Sequence, residues 1–226
     1  MSNPPASMPE PAMDRPILYD YWRSSAAYRV RLALALKEIG YDRVPVDLIA
    51  GEHRAPAHLA RNPQGLVPAL WIDGLMLTQS LAIIDYLEET RPAVPLLPAD
   101  PAGRARVRAI TQAIACDIHP LSNLHVLERV EALAGPEARA GWNRANIAQG
   151  LAAVERMLDH PGTGRFVHGD APGLGDCVLV PQLYNARRWE VEFGHLPRIA
   201  AISANLAQYG VIASAHPDNF CPTRGK

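Results

Sequence analysis

Apolar residues change their period twice along this chain. Ile17-Leu18-Tyr19-Asp20-Tyr21 is a short run of strand formers. Ser24 and Ser25 follow, and from Ala26 to Lys37 nearly every residue favours a helix. Two serines ahead of such a run mark a helix start, and Gly40 is the expected stop. Tyr41 to Leu48 reads as a second strand, with Pro45 suited to a sheet edge. The helix between them is long enough for a right-handed crossover, so the two strands should run parallel. Farther on, Asp73-Gly74 separates Leu66-Val67-Pro68-Ala69-Leu70-Trp71-Ile72 from Leu75-Met76-Leu77, a strong hairpin signal. Gln79-Ser80 then introduces a helical stripe from Leu81 to Glu89. The order is β-α-β, then β-β-α.

From Arg91 to Gly103 the chain carries Pro92, Pro95, Pro98 and Pro101, which argue against continuous regular structure and mark a domain boundary. Beyond it the period is helical throughout, most clearly over 104–134, 136–160 and 176–189. The expected organisation is a tail over residues 1–15, an α/β domain over 16–98 and an all-helical domain over 103–226. The tail is rich in Pro and Ala and lacks the basic start and apolar core of a signal peptide.

Composition narrows the partners. Of 226 residues, 48% are apolar, enough for a sizeable core. The balance of 22 basic against 23 acidic residues is no footprint for nucleic acid, and it gives no membrane-surface signal. No apolar run is long enough to span a bilayer. Cys116, Cys177 and Cys221 form neither a disulfide framework nor a zinc pattern, and free thiols fit a reducing compartment. No metal is expected.

Three segments offer chemistry. The serine pair at a helix start joins exposed N–H groups to hydroxyl donors, which suits a bound thiolate. Val67-Pro68, with a cis bond, would present the Val67 backbone to an extended ligand. Gln79-Ser80 repeats the helix-start arrangement and suits a carboxylate. Taken singly, these segments read as two helix caps and a loop proline. Taken together on one β-α-β-β-β-α domain, they supply a thiolate site, a backbone-pairing site and a carboxylate site, which describes a glutathione pocket.

Tyr19-Asp20-Tyr21-Trp22-Arg23-Ser24-Ser25-Ala26-Ala27-Tyr28-Arg29-Val30-Arg31 resembles the signature near the start of the zeta class of glutathione transferases. So do Asn62 to Pro68, Gln79 to Ile84, Asp117 to Leu124 and Leu179 to Arg188, so the resemblance covers nearly all the chain after the tail. It implies a thioredoxin-like N-terminal domain, an all-α C-terminal domain, a cytoplasmic homodimer and glutathione as cofactor. The implied activity is glutathione-dependent cis–trans isomerisation of a small dicarboxylic diketo acid: maleylacetoacetate in aromatic amino acid catabolism, or maleylpyruvate in gentisate degradation. A transferase or dehalogenase for small α-halo acids, and a non-catalytic binding protein of the same fold, are the alternatives.

By position, the resemblance implies that Ser24 activates the thiol with Ser25 beside it. It assigns glutathione contacts to Arg29, His53, Val67, Gln79, Ser80, His119, Asn123 and His125, with Arg29 also a candidate for the substrate. Arg23 and Arg188 are the candidates for substrate carboxylates, a task suited to bidentate guanidinium groups. Salt bridges on helix faces are the competing roles for Arg29 and Arg188, and a solvated helix face for His125. Two positions depart from the class pattern. Ala26 stands where many members have cysteine. Gly173 stands where a capping box begins with Ser or Thr, which predicts a slightly weaker helix start.

Overall fold

The computed structural model describes residues 15–222, so the expected tail lies outside the described residues except for Arg15. Strand β1 (Ile17–Asp20) leads into helix α1 (Ser25–Leu36), and β2 (Asp42–Pro45) returns parallel to β1. A 3-10 turn (Glu52–Arg54) and a short α2 (Pro56–Leu59) precede β3 (Ala69–Ile72), β4 (Leu75–Thr78) and α3 (Ser80–Thr90). The sheet order is β2-β1-β3-β4, with β3 antiparallel to both neighbours and Tyr19 opposite Ala69. This is the thioredoxin-like arrangement. The hairpin turns at Asp73 and Gly74 with φ of 53° and 77°, the left-handed pair that a two-residue turn requires.

Some sequence expectations shift. The second strand spans only Asp42–Pro45 rather than 41–48, because it is a short, largely exposed edge. Helix α1 ends at Leu36, and the stop is made by Glu38 rather than Gly40. Glu38 takes the left-handed conformation (φ 57°), and Ile39 N–H donates back to Leu34 O at 2.8 Å, closing the last turn.

The second half is helical: α4 (Pro101–Gln112), α5 (Leu124–Ala134), α6 (Pro136–Met157), α7 (Leu174–Arg188), α8 (Pro197–Leu206) and α9 (Gly210–Ser214). Pro101, expected to lie in irregular chain, is the first residue of α4. It needs no N–H there, and Asp100 Oδ1 accepts from Gly103 N at 2.7 Å as the cap. The block expected over 104–134 is not one helix. A π-helical segment (Ala113–Ile118) and a 3-10 turn (His119–Ser122) divide α4 from α5. Pro120 cannot donate to the helical ladder, and the interruption turns His119 and Asn123 towards the sheet domain.

Helix α1 has little polar face because it has almost no exposed side. Ala27, Tyr28, Val30, Leu32, Ala33 and Leu34 are buried between the sheet, α3 and α7. One hydrophobic core runs from Leu18, Leu70 and Ile83 to Ile110, Leu179 and Leu183. Arg31 is also buried there. It binds Asp20 Oδ2 at 2.7 Å, Trp22 O at 3.0 Å and Ala215 O at 3.2 Å, so charge and donors are satisfied together. No helix among the described residues is long and apolar enough to cross a membrane.

At the start of α7, Gly173 has a packing reason. Leu174 N–H donates to Leu96 O at 2.8 Å, and a Cβ on Gly173 would sit 2.7 Å from that same carbonyl. Asp176 makes its half of the box, accepting from Gly173 N at 2.9 Å, and it also accepts from Val167 N at 3.1 Å. Burial pushes its carboxyl pKa up to about 7. Gly173→Ser, which would restore a capping hydroxyl, should therefore destabilise the fold by about 1–3 kcal/mol through overpacking. Urea denaturation measures this, and a gain in stability would mean the cap outweighs the clash.

Candidate active site

The turn from β1 to α1 brings three candidates to one place. Ser24 is the N-cap of α1, and its Oγ accepts from Ala27 N at 3.2 Å. Because that oxygen is used as an acceptor, its proton remains able to donate into the cavity that Ser24 lines. Ser25 is more deeply buried, and its hydroxyl faces α7 at 3.5 Å from Pro181 O. The two serines thus differ: both border the cavity, but the Ser25 hydroxyl is turned to α7. Beside them, Arg23 donates to Tyr21 Oη at 3.1 Å and lies over the Trp22 ring, 5.0 Å from its centroid.

The start of α3 is not the simple cap that Gln79-Ser80 suggests. Gln79 occupies the N-cap position with φ 66° and ψ 114°, a strained backbone for a non-glycine residue, and its side chain caps nothing. Its Nε2 instead donates to Gln64 Oε1 at 2.7 Å. Ser80 Oγ accepts from Arg29 Nη1 at 3.2 Å. Arg29 is almost fully buried, and its Nε and Nη2 have no partner among the described residues. Burial lowers its pKa to about 10, which leaves it a cation at neutral pH. It forms no salt bridge among the described residues, so the helix-face role falls away. Between the two helix starts, the Val67–Pro68 peptide is cis, and Val67 has no backbone partner among the described residues.

The helical half supplies the facing wall. His119, from the 3-10 turn, is half-buried in the cavity wall, where lost hydration and then the Arg29 charge lower its pKa to about 3. Asn123 sits at the start of α5 without capping it, and His125 is exposed at the rim. From α7, Arg188 lies over the Tyr184 ring at 5.9 Å, and burial followed by the nearby Arg23 lowers its pKa. His53, in the 3-10 turn of the sheet domain, is largely buried with Nδ1 unpartnered, and burial lowers its pKa as well.

Every sequence-derived candidate borders one cavity of about 860 Å³. Five arginines and three histidines line it, and no Asp or Glu does. Arg54 and Arg139 are balanced from behind by Glu128 at 3.7 Å and Glu131 at 2.6 Å. Arg23, Arg29 and Arg188 have no carboxylate partner among the described residues. Such a cavity attracts ligands with several negative charges.

Residues 16–89 match the glutathione S-transferase N-terminal domain family and residues 126–209 the corresponding C-terminal domain family. A maleylacetoacetate isomerase of Rhizobium meliloti (strain 1021) is 59% identical over 208 residues, covering 91% of this chain and 98% of that protein. The holo structure of a maleyl pyruvate isomerase, described as a bacterial zeta-class glutathione S-transferase, superposes with a TM-score of 0.88. It is 41% identical and covers 92% of this chain and 100% of its own. The chain belongs to the zeta-class glutathione transferase family. A maleylacetoacetate isomerase structure from Anaeromyxobacter dehalogenans 2CP-1, with glutathione in its active site, has a TM-score of 0.84 and 45% identity. It covers 93% of this chain and 98% of its own.

For this zeta-class chain, sequence reasoning missed Tyr21, Gln64, Asn185 and Trp189, which also line the cavity. Asn185 and Trp189 carried a signal, since their spacing from Pro181 and Arg188 puts them on one face of α7. Gln64 carried none, because its bond to Gln79 is a tertiary contact.

The lowered pKa of His119 sets a testable sign. Between about pH 6.5 and 3 the unfolded chain binds a proton there that the folded chain refuses, so this group costs stability as pH falls through that window. Two-dimensional NMR of the histidine ring protons should show His119 flat from pH 8 to 5, and a midpoint near 6.5 would contradict its burial beside Arg29.

Proposed function

We propose that this chain is a glutathione-dependent cis–trans isomerase that converts maleylacetoacetate to fumarylacetoacetate. The observation that carries the reading is the Ser24 end of α1 sharing one cavity with three guanidinium groups that have no carboxylate partner among the described residues. Identity of 59% to a maleylacetoacetate isomerase along nearly its whole length supports the same substrate. Maleylpyruvate is the second reading, favoured by the 0.88 TM-score to a maleyl pyruvate isomerase.

The residues fit glutathione. Its carboxylates need cationic or helix-terminal donors, and buried Arg29 N–H groups without acceptors lie beside Ser80 at the α3 start. Its peptide needs a free backbone to pair with, and Val67 offers one. When bound, glutathione supplies a thiolate that attacks the activated double bond and leaves again after rotation. Ser24 donates its hydroxyl proton towards the sulfur, and the first N–H groups of α1 add their dipole. Ser25 anchors that helix start against α7. Gln79, Ser80 and Arg29 hold the γ-glutamyl end, while His53, His119, Asn123 and His125 border the rest. Arg23 and Arg188 hold the substrate carboxylates in place.

In this reading residues 16–98 form the glutathione domain and 103–226 the substrate domain, and the enzyme works as a cytoplasmic homodimer. A spectrophotometric assay of maleylacetoacetate and maleylpyruvate, each with and without glutathione, tests it. Glutathione-dependent turnover of maleylacetoacetate should exceed that of maleylpyruvate, and Ser24→Ala should lower the rate about 10²- to 10³-fold. Turnover of neither acid despite glutathione binding would sink the reading.

A further inference from the structure

Tyr21 is a cavity residue to which none of the roles above is assigned. Arg23 Nη2 donates to its phenolic oxygen at 3.1 Å, so the hydroxyl hydrogen must point elsewhere. No acceptor for it is found among the described residues, and the side chain borders the cavity. The backbone ties Tyr21 to the thiol-binding turn, since Ser24 N–H donates to Tyr21 O at 2.9 Å. Arg188 lines the same cavity and lies close enough to Arg23 for that charge to disfavour its own. The phenol therefore touches one guanidinium group and shares the cavity with another, with no carboxylate in the cavity lining to take its proton. Trp22, stacked on Arg23, fixes the arrangement from behind.

The reaction needs such a donor. As a conjugated cis-enone loses double-bond character, negative charge collects on its ketone oxygen, and a preorganised donor at that oxygen lowers the barrier. Ser24 is committed to the sulfur, and Arg23 and Arg188 to the carboxylates. We infer that Tyr21 is a further catalytic residue, whose hydroxyl donates a hydrogen bond to the ketone oxygen of the substrate and carries part of the charge that develops there. The inference rests on the isomerase reading for its substrate. Its hydrogen-bond chemistry is tested separately.

The probe is 3-nitropropionate, whose ionised form places a planar oxyanion where the enone would develop one, along the same chain as a carboxylate. Butyrate is the control of similar length, a monocarboxylate with a methyl group in place of the nitronate. Binding of each is measured by calorimetry with S-methylglutathione in the site, for the wild type and for Tyr21→Phe. The variant should weaken nitronate binding about 10- to 100-fold, the worth of a hydrogen bond to a charged group. Butyrate affinity should change less than about twofold, because the arginines remain and it carries no acceptor for Tyr21. In the isomerase assay kcat should fall by about 10²-fold. The rate at which iodoacetamide traps bound glutathione should not change. Equal weakening of nitronate and butyrate would overturn the inference, because Tyr21 would then only position Arg23. A slower trapping rate would also overturn it, since Tyr21 would then serve the sulfur. A wild type that turns over neither diketo acid, yet binds nitronate through Tyr21, would defeat the isomerase reading and leave Tyr21 as the oxyanion donor.

Discussion

Everything at this site depends on how helix α1 is enclosed. The sheet, α3 and α7 leave it almost no free face, so its N-terminus cannot move without moving the core. Two buried arginines on this helix have opposite fates. Arg31 is met by Asp20 and two carbonyls, and it binds the C-terminal segment to the sheet domain. Arg29 is met only by Ser80 Oγ, which leaves donors and charge in reserve. A buried cation without a counter-charge is costly, and its neighbours relieve that cost poorly until an anion arrives. Stability and ligand affinity are thus linked through a single helix.

The rest of the cavity extends the same logic. Arg23 and Arg188 are held against aromatic rings rather than by acids, an arrangement that orients a guanidinium while leaving its charge and most of its N–H groups free. His119 is kept neutral, so it adds no further positive charge. Acids that balance the cavity stand behind it, at Glu128 and Glu131. Positive charge therefore faces inward, which suits a multiply anionic cofactor followed by a dianionic substrate.

Much of this was legible in the residues. The Ser24 cap, the Asp73-Gly74 hairpin and the helix opening at Ser80 are local features, set by neighbours a few positions away. What failed was non-local. The helical period runs without a break through 104–134, and only Pro120 hinted at the turn that brings His119 to the cavity. Gly173 reads as a missing cap along the chain, and only the Leu96 carbonyl packed against it explains the glycine. The stop at Glu38 in place of Gly40 reflects a turn whose geometry a non-glycine residue tolerates at some strain. Tyr21 lay inside a motif already singled out, yet its free hydroxyl depends on where the Arg23 side chain turns.

The site stands or falls on whether the Ser24 end of α1 holds a thiolate. The most direct test is the ultraviolet absorbance of bound glutathione followed against pH, in the wild type and in Ser24→Ala. The wild-type thiol midpoint should lie about one pH unit or more below that of free glutathione, with the variant moving back towards the free value. A wild-type midpoint equal to that of free glutathione would contradict it.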